Sequence, residues 1–212
     1  MKKIMFNDKY GLTQAVLDGR KTMTRRIVGE KLLDRWTDYD DFCNNVSVEN
    51  IYTERQYYDK KDFFLNNAPY KLGEVVAIAQ SYMDVDRFHR KGKNAAYLEY
   101  LDSILPELKL YPGWGNKMFV KADLMPHHIK ITGIKVECLQ DISDEDCFKE
   151  GIYASNSHEI GYGIPWVYEF AKSKMAYYTP REAFADLIDK VSGKGTWESN
   201  PFVFAYEFVL VD

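Results

Sequence analysis

The chain has 212 residues, enough to bury a sizeable core as one large domain or two small ones. Hydrophobic residues make up 46% and the net charge is −4 at pH 7, a globular balance that excludes a wholesale nucleic-acid coat. No apolar run approaches the ~20 residues of a membrane span, and the charged start (Lys2, Lys3, Asp8) lacks the apolar stretch of a secretory leader.

Three cysteines (Cys43, Cys138, Cys147), odd in number and widely spaced, point to reduced thiols and a cytoplasmic location. Charge is unevenly spread. Residues 1–31 hold eight cations against three acids, whereas residues 34–62 hold eight acids against four cations. A basic face engages phosphate even on an acidic protein, unless the acidic segment folds across it and screens it. The aromatic share, 15% with 16 Tyr, suits packed strands or base stacking.

In chain order, Leu12, Ala15, Val16 and Gly19 share one helical face. They predict a helix over 11–18, stopped by Gly19 in left-handed backbone. A strand near 22–28 follows, with Arg20, Thr22 and Thr24 on one side and Lys21, Met23 and Arg25 on the other; a bend at the cap would bring Lys21 and Thr24 together. Residues 32–70 are polar, tyrosine-rich (Tyr39, Tyr52, Tyr57, Tyr58, Tyr70) and weakly periodic, which predicts an insertion with one short helix. A strand is predicted near 75–81. Residues 84–112 form a second insertion, with a helix suggested by Ala95, Ala96, Leu98, Tyr100 and Leu101 before Pro106 and Pro112.

Further strands are predicted near 117–123 and 129–138, the second broken by a bulge or bend at Gly133. Ser143, with Asp146 three residues on, opens a helix over 143–150. Residues 153–178 are loop-like, with a helix around Val167–Lys174. Thr179, Pro180 and Glu182 form the clearest helix start, a capping box with proline at the first position, leading a helix over 180–191. A strand near 202–211 closes the chain.

The chemistry concentrates at residues 20–26, where Arg20, Lys21, Arg25 and Arg26 interleave with Thr22 and Thr24. A cation beside a hydroxyl holds an anion or, with its pKa lowered, activates the hydroxyl. The bland alternative is a solvated basic turn. Arg20, Arg25, Arg26 and Trp197 are the candidate nucleic-acid contacts, Trp197 serving either to stack a base or to pack the core. His127 and His128 with Cys138 or Cys147 lack zinc-site spacing, so no metal and no cofactor are expected. Glu207, in an apolar strand, needs Lys21 or Arg26 as a partner if buried, and otherwise faces solvent.

Gly19, Lys21, Thr24 and Arg26 carry a resemblance to the opening signature of the ASCH family. The whole run from Gly19 to Arg26 is similar to that of small bacterial ASCH amidohydrolases, which remove the acetyl group from acetylcytidine. Leu139–Asp146, running on to Glu150–Ile152, looks like the middle helix of phage-type ASCH proteins, and Gly195–Phe202 with the closing strand looks like their C-terminus. The resemblance implies an α+β fold: a PUA-like β-barrel with packed helices, one domain over 1–212 with insertions at about 32–70 and 84–112. It also implies a catalytic set of Lys21, Thr24 and Glu150, with Glu145 as the alternative carboxylate. A desolvated lysine in such a set takes the proton of an attacking hydroxyl, and a carboxylic acid protonates the leaving amine. One departure concerns the strand at 75–81, which ends in Gln80 where phage-type relatives present a carboxylate. The expected partner is RNA or a modified nucleoside in a basic cleft. The alternatives are hydrolysis of an acylated cytidine and a protein-interaction module.

Overall fold

A computed structural model of the chain describes residues 1–45, 59–90, 99, 103, 114–156 and 166–211. The fold is α+β. Five strands form a mixed sheet in the order β1 (Lys3–Ile4), β3 (Val75–Ile78), β4 (His128–Cys138), β7 (Phe202–Leu210) and β2 (Met23–Ile27). β1 and β3 run parallel, and the other pairs are antiparallel. Among the described residues the sheet does not close on itself, so β1 and β2 are its edges. A separate hairpin pairs β5 (Tyr153–Asn156) with β6 (Trp166–Glu169).

β7 explains the centre of the fold. Val203, Phe204, Ala205, Tyr206 and Phe208 are all buried, the unbroken apolar pattern of a strand covered on both faces. β4 pairs with it along its length, with a register shift between Ile131 and Gly133. The break predicted at Gly133 is therefore a bulge. A Cβ there would come within 2.8 Å of Glu207 Oε2 and 3.2 Å of its Cβ, so only glycine fits without displacement.

The helices begin and end where local chemistry dictates. α1 (Leu12–Leu17) buries Leu12, Ala15 and Val16, and Gly19 at φ +71° turns the chain out of it. α5 (Asp144–Lys149) is capped by Ser143 accepting from the Asp146 amide. α6 (Pro180–Ser192) starts with the Thr179/Glu182 capping box and buries Ala183, Phe184, Leu187 and Ile188 against the sheet. It is followed by the single turn α7 (Thr196–Ser199).

Three expectations are corrected. Residues 117–123 are not a strand: Asn116 Oδ1 accepts from the Met118 amide, a side-chain turn that bends the chain, and a one-turn 3-10 helix covers Ala122–Leu124. Val167–Lys174 is not a helix. Alternating burial, with Trp166 exposed and Val167 buried, fits the strand β6, and Lys172 then takes left-handed backbone at φ 62°. Residues 32–70 hold more helix than their periodicity suggests. α2 (Glu30–Asn45) and α3 (Lys60–Asn66) pack Trp36 against Phe63 and Phe64, joining this segment to the main core. In the second insertion α4 (Tyr82–Arg90) is described, whereas the helix expected around Ala95–Leu101 falls outside the described residues, as do Tyr52, Tyr57 and Tyr58. No helix among the described residues is long and apolar enough to cross a membrane.

Candidate functional site

The left-handed turn at Gly19 delivers Lys21 to the gap between α1 and β2. The Lys21 amide donates back to the Ala15 carbonyl, and the Thr22 amide donates to Lys149 at the end of α5. These two bonds hold the basic segment between α1 and the end of α5. Lys21 is 2% exposed, and its Nζ donates to Glu150 Oε2 at 2.5 Å and to the Glu150 carbonyl at 2.8 Å. Glu150, the C-cap residue of α5, is itself buried. Gly151 beside the lysine stem takes a backbone conformation, φ +102°, that favours glycine.

Arg25 organises the carboxylates behind this pair. Its guanidinium is fully buried over the Phe184 ring. Nη1 reaches Glu150 Oε1 at 3.2 Å, Nη2 reaches Asp146 Oδ2 at 2.9 Å, and Nη2 and Nε reach Glu137 Oε1 at 2.6 and 3.1 Å. The two oxygens of Glu150 are thus divided between Lys21 and Arg25. Burial works to lower the Arg25 pKa, but Glu150, Glu137 and Asp146 outweigh it and raise it. Lys21 goes the other way. Burial lowers its pKa, reinforced by Arg26 and Arg25 and only partly opposed by Glu150.

A cavity of about 280 Å³ opens beside these groups. Lys21, Thr24, Arg25, Arg26 and Glu150 form its polar wall, and Phe6, Leu12, Phe184, Leu187 and Ile188 its apolar wall. β2 is an edge strand. Thr22 and Val28 share backbone bonds with β7, so by alternation the amides of Met23, Arg25 and Ile27 point away from it. Thr24 is buried and lines the cavity beside Lys21.

Arg26 differs from its neighbour. Its Nη2 donates to the Met5 carbonyl and its guanidinium lies over the Phe6 ring, 5.6 Å from the centroid. Its Nε is buried without a partner, and it forms no ion pair with a described carboxylate.

The structure therefore brings Lys21, Thr24, Glu150, Arg25 and Arg26 to one cavity. It does not bring Arg20 or Trp197 there. Arg20 is exposed and paired with Asp18 at 2.8 Å, and Trp197 packs edge-on to Phe184 with Arg181 over its ring. Glu145, the alternative acid, is exposed and pairs with Lys149. Glu207 pairs with Lys149 at 3.6 Å, not with Lys21 or Arg26. Among the described residues, Lys21 and Arg25 are neutralised by Glu137 of β4 and by Asp146 and Glu150 of α5 and its C-cap. The organising role of Asp146 and Glu137 was missed in the sequence, although Asp146 and Glu150, four apart, share a helical face. Among the described residues no three His, Cys, Asp or Glu side chains are grouped to hold a metal ion.

Comparison with known proteins gives no significant match to a family model, a curated protein or a solved structure.

Proposed function

We propose that this chain is an ASCH-type protein that binds a single acylated nucleoside in the cavity beside β2 and hydrolyses its acyl amide. In this reading the described sheet forms part of a PUA-like barrel, and the protein works in the cytoplasm. The observation that carries the proposal is the convergence of Lys21, Thr24 and Glu150, from segments 129 residues apart, on one small and largely apolar cavity. About 280 Å³ suits one base and its acyl group, not a length of RNA.

Each residue has a defined part. Thr24 Oγ attacks the acyl carbonyl, and Lys21, in its neutral form, takes the hydroxyl proton. Lys21 passes that proton across its hydrogen bond to Glu150, which delivers it to the leaving amine as the carbon–nitrogen bond breaks; water then attacks the acyl-Thr24 ester, giving one proton to Lys21, and that proton returns to Thr24 Oγ as the acid is released. Burial of Lys21 favours the neutral amine that the first step needs. Arg26 stands at the same wall, a donor for the oxyanion or for a ligand phosphate.

Incubation of the protein with acetylcytidine, followed by chromatography for cytidine and acetate, tests the reading. Lys21→Ala and Thr24→Ala are each expected to abolish release, and Lys21→Arg to fail as well, because a guanidinium keeps its proton. No turnover across a panel of acylated nucleosides overturns hydrolysis. A second reading, nucleoside or RNA binding without chemistry, is favoured by one observation: Lys21 Nζ is held by Glu150 through both its carboxylate and its carbonyl.

A further inference from the structure

A second and larger cavity, about 590 Å³, lies on the other side of α1. Its floor is the end of the parallel pair β1 and β3. β1 runs on into Asp8, and β3 runs on through Ala79 into Gln80 and Ser81, held beside β1 by the Ala79 amide on the Ile4 carbonyl at 2.9 Å. The carboxyl ends of adjacent parallel strands are a recurrent place for ligand crevices.

Most polar groups on this wall are already satisfied. Asp8 accepts from Lys117 at 2.7 Å, Ser81 and Asp84 bond each other at 2.6 Å to cap α4, and Arg20 is paired with Asp18. Gln80 is the exception. It is 8% exposed, its backbone amide is spent on Met125 Sδ at 3.3 Å, and its Oε1 is buried without a partner. Its Nε2 bonds no described residue either, so the observation does not depend on how the amide is turned. A buried amide oxygen left without a donor is costly, roughly 1–3 kcal/mol, unless something occupies the space in front of it.

We propose that this cavity is a second ligand site, separate from the Lys21 cavity, and that Gln80 reads a heterocyclic base through the base's adjacent N–H donor and acceptor. A carboxamide offers one donor and one acceptor side by side and so matches the amide-like edge of a nucleobase with two parallel hydrogen bonds. Leu17, Ala79, Met83 and Ala171 supply apolar surface for the faces of a ring, and the volume is that of a nucleoside site. The proposal stands whether or not the Lys21 cavity hydrolyses anything.

The test is ligand-observed NMR titration of the full chain with the four ordinary nucleosides and with 3-methyluridine, in which the N3–H is replaced by methyl. At least one ordinary nucleoside should bind wild-type protein. Binding should persist in Lys21→Ala, which alters only the first cavity, and should weaken tenfold or more in Gln80→Leu. Gln80→Glu, which keeps acceptors but loses the amide donor, should shift the preference among the bases. If uridine is a ligand, 3-methyluridine should bind at least tenfold more weakly. Loss of binding in Lys21→Ala with retention in a folded Gln80→Leu overturns the proposal, as does equal affinity for all the nucleosides in wild type and both Gln80 variants. No binding by wild type overturns it too, and leaves buried water as the partner of Gln80.

Discussion

Lys21 and Glu150 stand 129 positions apart in the chain and meet at 2.5 Å inside it, each almost wholly removed from solvent. A buried ion pair of this kind is weak evidence for stability, because desolvation of both ions offsets their attraction. Its value lies in placing a desolvated lysine beside an open cavity. The Lys21 pKa is lowered from the ordinary 10.5, first by burial, so the folded state holds this proton less tightly than the unfolded state. Between the folded-state value and 10.5 the unfolded chain binds more protons, and the contribution of Lys21 to stability therefore rises with pH through that window. The stability difference between wild type and Lys21→Met, measured by urea denaturation from pH 8 to pH 10.5, should shift progressively in favour of wild type. A flat difference would mean that Lys21 keeps its full basicity when buried.

Arg25 makes the opposite prediction. Its guanidinium compensates Glu137, Asp146 and Glu150 together, so removing it leaves buried carboxylates short of a cation. Arg25→Met should cost about 3–5 kcal/mol, the range for breaking a buried pair by deleting one partner. Arg25→Lys should recover only part of the loss, since an ammonium cannot serve three carboxylates with a planar fork. Chemical denaturation at neutral pH reads both effects.

The parts of this architecture legible in the sequence were those governed by neighbours in the chain. The Thr179/Pro180/Glu182 start, the Ser143 cap, the Gly19 stop and the Gly133 bulge are local events, and each was visible in residue type and spacing. α2 was harder to see, because Asp34, Arg35, Asp38, Asp40 and Asp41 crowd around Leu32, Leu33, Trp36 and Tyr39 and obscure the periodicity of that face. β6 was mistaken for helix because only its antiparallel partner β5 reveals it. At the site, the lysine, threonine and glutamate were named from the resemblance. The division of labour between Arg25 and Arg26 was not legible, because it depends on carboxylates from β4 and α5 that only the tertiary fold brings near.

Cys147 gives a prediction free of any functional reading. Its side chain is fully buried, and burial pushes the thiol up to about 12, so almost no reactive thiolate exists near neutral pH. Cys43 and Cys138 are partly exposed. A colorimetric thiol titration at pH 8 should label Cys43 and Cys138 in the native protein and Cys147 only after denaturation. Rapid labelling of all three would mean that the core around α5 opens readily.

Phe184 links the core to the site. The ring is 1% exposed, lies under the Arg25 guanidinium and packs edge-on against Trp197. Phe184→Ala should cost about 3–5 kcal/mol by lost transfer energy and the cavity left behind. It should also enlarge the first cavity, which this ring helps to wall. Phe184→Leu should restore most of the stability, and thermal denaturation of the two variants separates lost volume from a general failure to fold.

The last prediction separates two adjacent arginines. Arg25 and Arg26 follow one another on β2, yet Arg25 is held by three carboxylates while Arg26 has none among the described residues and keeps a buried, unpartnered Nε. Burial lowers the Arg26 pKa but leaves it a cation, so an incoming anion would find in Arg26 the charge that Arg25 has already committed. Arg26→Gln should therefore weaken binding of cytidine 5′-monophosphate by about tenfold or more, the worth of a charge-assisted hydrogen bond, while leaving the affinity for cytidine nearly unchanged. It should also flatten the dependence of that binding on salt. Arg25→Gln should instead lower the unfolding midpoint, and at temperatures where it stays folded it should bind nucleotide and nucleoside in the wild-type ratio. Isothermal titration with the phosphate-bearing and phosphate-free ligands distinguishes these outcomes. Equal losses for both ligands in Arg26→Gln would show that Arg26 shapes the cavity and does not hold an anion.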